Sequence, residues 1–334
     1  MTDAPAIDVE AIPEDEGLLF ACVLDGRGGA RLTGWEEVEG APETDGLWVH
    51  LERADPRAQA WLRQRAGLTP VTIEALLAEE TRPRTFRGKR GTIAILRGVN
   101  TNPGADPEDM VAIRLWCDGH RLISIRQRRL RTPRVALQAL VEGIGAASVP
   151  ALFERLISGL IERLGGVIEQ LDDDLDAIEE EVGEGDPSDL RARLGDLRQE
   201  AVRLRRYMAP QRDAVALLWQ EPPEWLDETS RLRLREAGDR LMQQVEALDA
   251  ARERAVVLKD DVANQVAERM NRNTYILSIV AAIFLPLGFV TGLLGINVGG
   301  MPGMENGAAF WITCAGIVVM LLVQLVIFRK LRWI

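Results

Sequence analysis

The chain has 334 residues, of which 47% are hydrophobic, and a formal net charge of -11 at pH 7. This length is sufficient for two or three domains with a substantial core. The acidic balance argues against a nucleic-acid partner, because phosphate binding needs a basic surface.

Residues 1–150 have the pattern of a mixed α/β domain. Short apolar runs predict five strands, at Leu18–Leu24, Leu47–Leu51, Thr92–Val99, Val111–Cys117 and Arg121–Ile125. Residues 56–67 and 70–80 have helical spacing, and Asp55 and Thr69 are the expected N-caps. The Gly-rich run from Asp25 to Gly29 predicts a hairpin turn, because its spacing does not match a dinucleotide loop. The acidic start has no apolar run, so we expect the first 270 residues to stay in the cytoplasm.

The arginine-rich run of this domain, and the cysteines and histidines of the whole chain, indicate no specific site. An arginine-rich run follows the fifth strand and includes Arg126, Arg128, Arg129, Arg131 and Arg134. Since it lacks interleaved aromatic residues, we expect a solvated face or a partner for acids elsewhere. The three cysteines are isolated from one another, which excludes a recognisable zinc cage or disulfide framework. His50 in a strand and His120 in a turn do not form an evident proton relay.

Residues 151–228 read as antiparallel helices. Leucines and valines recur every three or four residues up to Val182, and the predicted return helix runs from Leu190 to about Arg206. The first helix ends in an acidic segment that includes Asp172, Asp173, Asp174 and Asp176. This segment is either a solvated face paired with the arginines of the return helix or an attractor of divalent cations. The helical pattern breaks at Pro222 and Pro223.

Residues 229–294 are expected to form a stalk helix, capped by Thr229 or Ser230, that continues into a first transmembrane helix at 275–294. At ~1.5 Å per residue this span of 20 residues reaches ~30 Å, the thickness of a hydrocarbon layer. A loop at 295–307, a second span at 308–328 and a basic tail at 329–334 follow. Arginines and lysines flank the outer ends of both spans, whereas the loop has only Glu305, so both termini are expected in the cytoplasm.

A polar, small-residue seam follows the stalk and the first span with a 3.5-residue repeat. Its members are Asp260, Asn264, Ala267, Asn271, Thr274, Ser278, Ala281, Leu285, Gly288, Gly292 and Gly295. Such a repeat keeps one side of a helix towards a common axis, so copies of it could surround a pore. Close helix packing and register fixing by asparagine are the alternatives. Two spans per chain cannot enclose an aqueous path, so a pore requires a homo-oligomer.

The seam ends in the triplet Gly295-Ile296-Asn297, at the expected mouth of the pore. This triplet resembles the signature of the CorA superfamily of two-span divalent-cation transporters, Gly-Met-Asn, with Ile296 in the middle. Residues 271–303 are similar to the zinc-transporting ZntB branch of that superfamily. Residues 48–51, 79–84 and 98–111 also resemble this branch, so the resemblance covers nearly the whole chain.

The resemblance implies an α+β protein in the bacterial inner membrane. Its expected parts are a cytoplasmic mixed α/β domain, a long helical stalk and two transmembrane helices, assembled as a homopentameric funnel. By the same resemblance, Asn297 would hold a hydrated cation at the periplasmic mouth. Pore-facing positions would be taken by Asn271, Thr274, Leu277, Leu285 and Gly288, of which Gly288 departs from a frequent Thr.

The ion assignment follows the branch. Ile296 and Gly303 depart from the magnesium transporters, and the resemblance implies zinc uptake coupled to protons, with efflux as an alternative. The seam has neither His nor Cys, so we expect no tight metal site and no cofactor, with zinc as a weakly held cargo. A magnesium or cobalt channel, and a membrane-anchored sensor or scaffold without conduction, are the other hypotheses. Enzyme motifs such as a phosphate-binding loop are absent from the sequence.

Overall fold

The computed structural model describes residues 15–40, 42–296 and 307–331. The chain divides into two compact units, Met1–Lys259 and Asp260–Ile334, and the division falls inside one helix. Asn297, the expected cation-holding residue, and Glu305, the acid of the loop predicted to attract cations, lie outside the described residues. So do Gly303 and the end of the basic tail, residues 332–334.

The first unit contains a mixed sheet of seven strands. They are β1 (Leu18–Leu24), β2 (Ala30–Thr33), β3 (Leu47–Glu52), β4 (Arg84–Gly88), β5 (Gly91–Gly98), β6 (Val111–Cys117) and β7 (Leu122–Arg126). Their order in the sheet is β2-β1-β3-β7-β6-β5-β4. Of these pairs, β3 and β7 run parallel and the others run antiparallel.

All five strands predicted from the sequence are present, but the prediction of only five was wrong. The two additional strands, β2 and β4, are the two edges of the sheet. Neither β2 nor β4 has a fully buried residue, so both lack the apolar runs that identify inner strands. The turn between β1 and β2 is confirmed, because the Asp25 Oδ1 accepts hydrogen bonds from the backbone N–H groups of Arg27 (2.7 Å) and Gly29 (2.9 Å).

Four shorter helices complete the sheet region: α1 (Trp35–Gly40), α2 (Pro56–Gln64), α3 (Pro70–Leu77) and α4 (Arg131–Val141). The predicted caps of α2 and α3 are confirmed, since Asp55 accepts from the N–H groups of Arg57 and Ala58 and Thr69 accepts from that of Thr72. One buried core cluster contains residues of helices α1, α2 and α3 and of the strands, and it includes Trp35, Trp61, Leu76, Ile95 and Trp116.

Two long helices follow, α5 (Val149–Glu181) and α6 (Pro187–Gln220). Helix α5 ends at Glu181, one residue before Val182, where the predicted apolar repeat ends. The predicted end of the return helix at about Arg206 was wrong, because α6 continues for fourteen residues and includes Pro210 in its interior. The side chain of Ser148 caps α5 by accepting a hydrogen bond from the Ala151 N–H, and that of Asp186 caps α6 by accepting one from the Ser188 N–H.

The remaining helices are α7 (Glu228–Leu294) and α8 (Ala309–Lys330). The predicted cap of α7 was wrong by two or three residues: Asp227 accepts hydrogen bonds from the Ser230 N–H (2.9 Å) and hydroxyl (2.8 Å). Both helices are long and apolar enough to cross a membrane. The mixed α/β region, the long helix and two candidate transmembrane helices confirm the predicted fold class.

Candidate ion pathway

The seam lies on α7 from Asp260 to its last turn, and Gly295 follows directly after the helix. At ~1.5 Å per residue, the distance from Asp260 to Gly295 along the axis is ~52 Å. Of the eleven seam residues, Ala281 is half-buried and the other ten are exposed. The helix is continuous over this distance, so the 3.5-residue repeat read from the sequence is a continuous stripe along a real helix, one that drifts around a straight helix by ~20° per heptad.

The opposite side of α7 is partly shielded within the second unit. Its half-buried residues include Ile279, Ile283, Leu287 and Val290. At ~100° per residue these positions lie roughly opposite the seam residues Thr274 to Gly292. On α8 a stripe with the same three-to-four spacing is half-buried, namely Thr313, Cys314, Ile317, Met320, Leu321 and Gln324. The polar seam is therefore exposed in the single chain, as are apolar residues beside it such as Phe284 and Phe289, and the stripe opposite the seam is the shielded one.

Hydroxyl groups along α7 are held by the helix backbone. The Ser278 Oγ donates to the Thr274 carbonyl at 2.8 Å, and the Thr291 Oγ1 donates to the carbonyls of Leu287 (3.0 Å) and Gly288 (3.1 Å). A hydroxyl that donates in this way keeps its oxygen lone pairs as acceptors. The seam thus offers oxygen acceptors to water or a hydrated cation at a depth where the rest of the helix is apolar.

The bulky seam residue Leu285, the expected pore-facing residue Leu277 and one proline lie along this part of α7. Leu277 and Leu285 are 68% and 71% exposed. Apolar side chains that faced a common axis would form a narrow, poorly hydrated constriction. Pro286 lies inside α7 and has no N–H, so the carbonyl of Ala282 loses its usual helical donor at this depth.

The mouth residues Gly295 and Ile296 lie just beyond the end of α7. The Gly295 N–H donates to the carbonyls of Thr291 (3.0 Å) and Gly292 (3.2 Å), which closes the last turn. Ile296 is 48% exposed. Asn297, which the sequence predicts as the cation-holding residue, remains a prediction because it lies outside the described residues.

The acidic segment of α5 is partly paired with arginines. The Arg254 Nη2 contacts Asp176 at 2.5 Å and also contacts Glu179, while Glu181 contacts the Arg193 Nη1 at 2.7 Å. Arg193 is on the return helix, as the solvated-face hypothesis expects, but Arg254 is on α7 and was not foreseen. Among the described residues, no three His, Cys, Asp or Glu side chains are placed to hold a metal ion. The attraction of cations by Asp172, Asp173 and Asp174 stays a prediction.

The two histidines have different environments. His50 is buried in β3, where its Nδ1 lies 2.8 Å from the Ser124 Oγ. Burial, together with the positive charge of Arg126, lowers the pKa of His50 to about 3, so the ring is neutral at physiological pH. His120 is exposed, 3.2 Å from the Asp45 Oδ1. Cys22 and Cys117 are buried free thiols.

The family assignment rests on a comparison with known proteins. Residues 43–330 match the family model described as CorA-like Mg2+ transporter protein. The chain belongs to the CorA-like Mg2+ transporter family. It is 41% identical over 330 residues to the divalent cation transporter CmaX of Pseudomonas aeruginosa, with 96% of this chain and 98% of the relative covered. It is 34% identical over 322 residues to the zinc transport protein ZntB of Photorhabdus laumondii, at 95% and 96% coverage.

A solved structure agrees with this CorA-family assignment. The full-length CmaX structure is similar with a TM-score of 0.82 at 40% identity, and the match covers 96% of this chain and 100% of that one. The resemblance to the CorA superfamily and its ZntB-like branch is therefore confirmed. The chain is a membrane protein that transports divalent cations, and its family consists of transporters and not of enzymes.

Sequence reasoning missed the half-buried stripe on α8 and the pairing of the acidic segment with Arg254 on α7. A heptad plot of α8 would have shown that Thr313, Ile317, Met320 and Gln324 share one face. Arg254 gave no local signal, because its carboxylate partners lie 75 or more residues earlier in the chain.

Proposed function

We propose that this CorA-family transporter moves Zn2+ across the bacterial inner membrane through a pore formed by identical subunits. The observation that carries the proposal is the open polar seam on α7, opposite the shielded apolar stripe. One chain offers a single such face, and a helix pair cannot enclose water. Several copies arranged around an axis would place the oxygen acceptors of Asn271, Thr274 and Ser278 along a continuous path.

The assembly is proposed as a homopentamer, by the family resemblance. In this arrangement α7 lines the pore and α8 lies on its outer side. Arg269 and Arg272 precede the apolar part of α7, and Arg329 and Lys330 end α8. Positive charges favour the cytoplasmic side, so both termini are proposed to lie there and the loop at 295–307 in the periplasm.

The similarity to the ZntB relatives favours zinc. The chemistry of the seam supports fast passage of a cation rather than tight binding of it. Its donors are amide and hydroxyl oxygens, which hold a hydrated cation far more weakly than the His and Cys ligands of zinc sites. Weak binding lets an ion leave as readily as it enters. Uptake driven by an inward proton gradient is the proposed mode, and efflux is the alternative.

Magnesium or cobalt transport is the second candidate. It is favoured by the family description, and by the higher identity to a relative that is named for divalent cations in general. An oxygen-lined path alone does not discriminate among these ions, because each would pass with its water shell.

Flux into proteoliposomes tests the proposal. Purified protein is reconstituted, and uptake of Zn2+, Mg2+ and Co2+ is followed with ion-sensitive dyes, with and without an inward proton gradient. We expect Zn2+ uptake that rises with the gradient and exceeds Mg2+ uptake. Equal or faster Mg2+ flux would favour the second candidate, and gradient-independent Zn2+ flux would remove the proton coupling.

The mouth is tested separately by Asn297→Ala, with Asn306→Ala in the same loop as the matched control. We expect the first variant to abolish flux, because it removes the proposed carbonyl ligand, and the second to retain it. Size-exclusion chromatography with light scattering checks that both variants assemble. Equal flux through both variants would remove Asn297 from the pathway.

A further inference from the structure

Two strands of the first unit have an arginine within an otherwise apolar run. These residues are Arg97 in β5 and Arg114 in β6. In the antiparallel register Arg97 pairs with Ala112, and Ile95 pairs with Arg114. Paired residues share a face of the sheet, and residues two apart share it too, so both arginines lie on the same face.

Arg114 is fully buried and only partly hydrogen-bonded. Its Nη2 donates to the carbonyls of Ala78 (2.7 Å) and Glu79 (3.4 Å), while its Nε and Nη1 have no hydrogen-bond partner. In the part of the chain that the structure describes, no carboxylate forms a hydrogen bond or ion pair with it, and Glu52 supplies negative charge only without direct contact. A buried cation without a counter-charge is costly, and buried charges are normally paired.

Arg97 adds a second cation beside it. Its Nη1 and Nη2 donate to the carbonyls of Met110 (2.7 Å) and Thr81 (3.0 Å), and its Nε has no partner. The guanidinium lies 4.0 Å from the centroid of the Tyr207 ring and covers one face of that ring. Burial lowers the pKa of Arg114 to about 10, and the positive charges of Arg53 and Arg97 add to this effect.

A cavity of about 330 Å³ opens at these arginines. Arg97, Arg114, Arg128, Gln127 and Tyr207 are among its lining residues, and the exposed Glu79 and Asp109 also line it. The buried lining of the cavity is therefore cationic, and the acidic side chains that line the cavity are solvent-exposed. This volume exceeds what the tip of one carboxylate side chain needs, and it accommodates a tetrahedral anion with ordered water.

We propose that this cavity binds a compact oxyanion of the phosphate class, held by Arg114 and Arg97 in its interior and Arg128 at its exposed side. The planar guanidinium presents N–H donors at a spacing that matches pairs of oxygens on one anion. A ligand of this kind supplies hydrogen-bond acceptors for the Nε and Nη1 of Arg114 and adds to the negative charge of Glu52. Stacking of a nucleobase on Tyr207 is not part of the proposal, because Arg97 already lies over that ring.

Isothermal titration calorimetry of the full-length chain in detergent, with inorganic phosphate at constant ionic strength, tests the site. We expect saturable binding that Arg128→Gln weakens about ten-fold, the loss of one charged hydrogen-bond donor. Arg114→Met should abolish the binding. The control Arg198→Gln removes an exposed arginine of α6 outside the cavity lining and should change the Kd less than about two-fold.

Three results would overturn the site. They are no saturable binding of phosphate up to about 10 mM, equal weakening by Arg128→Gln and Arg198→Gln, or tighter binding of sodium acetate than of phosphate. The acetate result would assign the arginines to a carboxylate group instead. Since Arg128 is exposed, its variant keeps the test valid even if Arg114→Met does not fold.

Discussion

The Oδ1 of Asp176 on α5 lies 2.5 Å from the Nη2 of Arg254 on α7. Glu179, one turn further along α5, contacts the same guanidinium. The end of the acidic segment is thus tied to the long helix. Among the described residues, no arginine forms an ion pair with Asp172, Asp173 or Asp174, and Asp174 accepts a hydrogen bond from the Gln170 Nε2 at 3.1 Å. The segment combines a paired part with a part that is available to cations.

Arg254→Gln should separate these two parts. The pair is solvent-exposed, so the free energy of unfolding should fall by only about 0–1 kcal/mol. The segment becomes more negative, so weak binding of divalent cations should increase at low ionic strength and disappear at high salt. Thermal unfolding and calorimetry check the two effects. Combining Arg254→Gln with D172N, D173N and D174N should cancel the gain, and an unchanged gain would show that these aspartates attract no cations.

Asp260 is the one ionisable residue among the eleven seam positions. We expect Asp260→Asn to reduce Zn2+ flux several-fold at low ionic strength, because a ring of carboxylates concentrates cations at one end of the path. Asp261→Asn is the matched control, since Asp261 is equally exposed but is rotated by ~100° from the seam. Dye-based flux in proteoliposomes measures both, and equal reductions would argue against a directed path.

Gly292→Leu should block the path without disturbing the single chain. A Cβ built at Gly292 meets no atom within 4 Å, so a side chain there has space in one subunit. In an assembly around the seam, several leucines would converge on the axis and reduce flux more than about ten-fold. Gly316→Leu on α8 is equally unobstructed and should conduct normally. Undiminished flux in Gly292→Leu, with the assembly intact, would place the pathway elsewhere.

His50 makes the stability depend on pH. Its folded pKa is lowered from 6.5 to about 3 by burial and by Arg126, so below pH 6.5 the unfolded chain binds a proton that the folded chain does not. Stability is lost as pH falls through this range, by about 2 kcal/mol at pH 5. His50→Gln should therefore show a smaller drop in Tm between pH 7 and pH 5 than the parent. Parallel curves would show that His50 does not titrate on unfolding.

The sequence predicted the inner elements well because their patterns are local. The apolar runs of β1, β5 and β6, the proline-led helices and the caps Asp55 and Thr69 follow directly from residue type. The edge strand β4, Arg-Thr-Phe-Arg-Gly, has no such pattern, and Pro210 hid the second half of α6. Helix α4 was read as part of a basic run, since it begins with Arg131 and includes Pro133 and Arg134.

In the candidate site, too, features on a single helix could be predicted from the sequence, and features that join distant residues could not. The seam was visible because its repeat lies on one helix, and the structure adds that this face is open while the apolar face is shielded. The pairing of Asp176 with Arg254, and the cavity at Arg97 and Arg114, depend on residues far apart in sequence. An arginine in the middle of an apolar strand was the one local signal for that cavity.

The central claim is that the seam faces an aqueous path, and cysteine accessibility tests it most directly. In a Cys314→Ser background, where the remaining native thiols Cys22 and Cys117 are buried, Ser278→Cys is compared with Ile279→Cys on the shielded stripe. Zn2+ flux is measured before and after a charged, membrane-impermeant thiol reagent. We expect the reagent to stop flux through Ser278→Cys and to leave Ile279→Cys active. Block of Ile279→Cys with Ser278→Cys unaffected would contradict it.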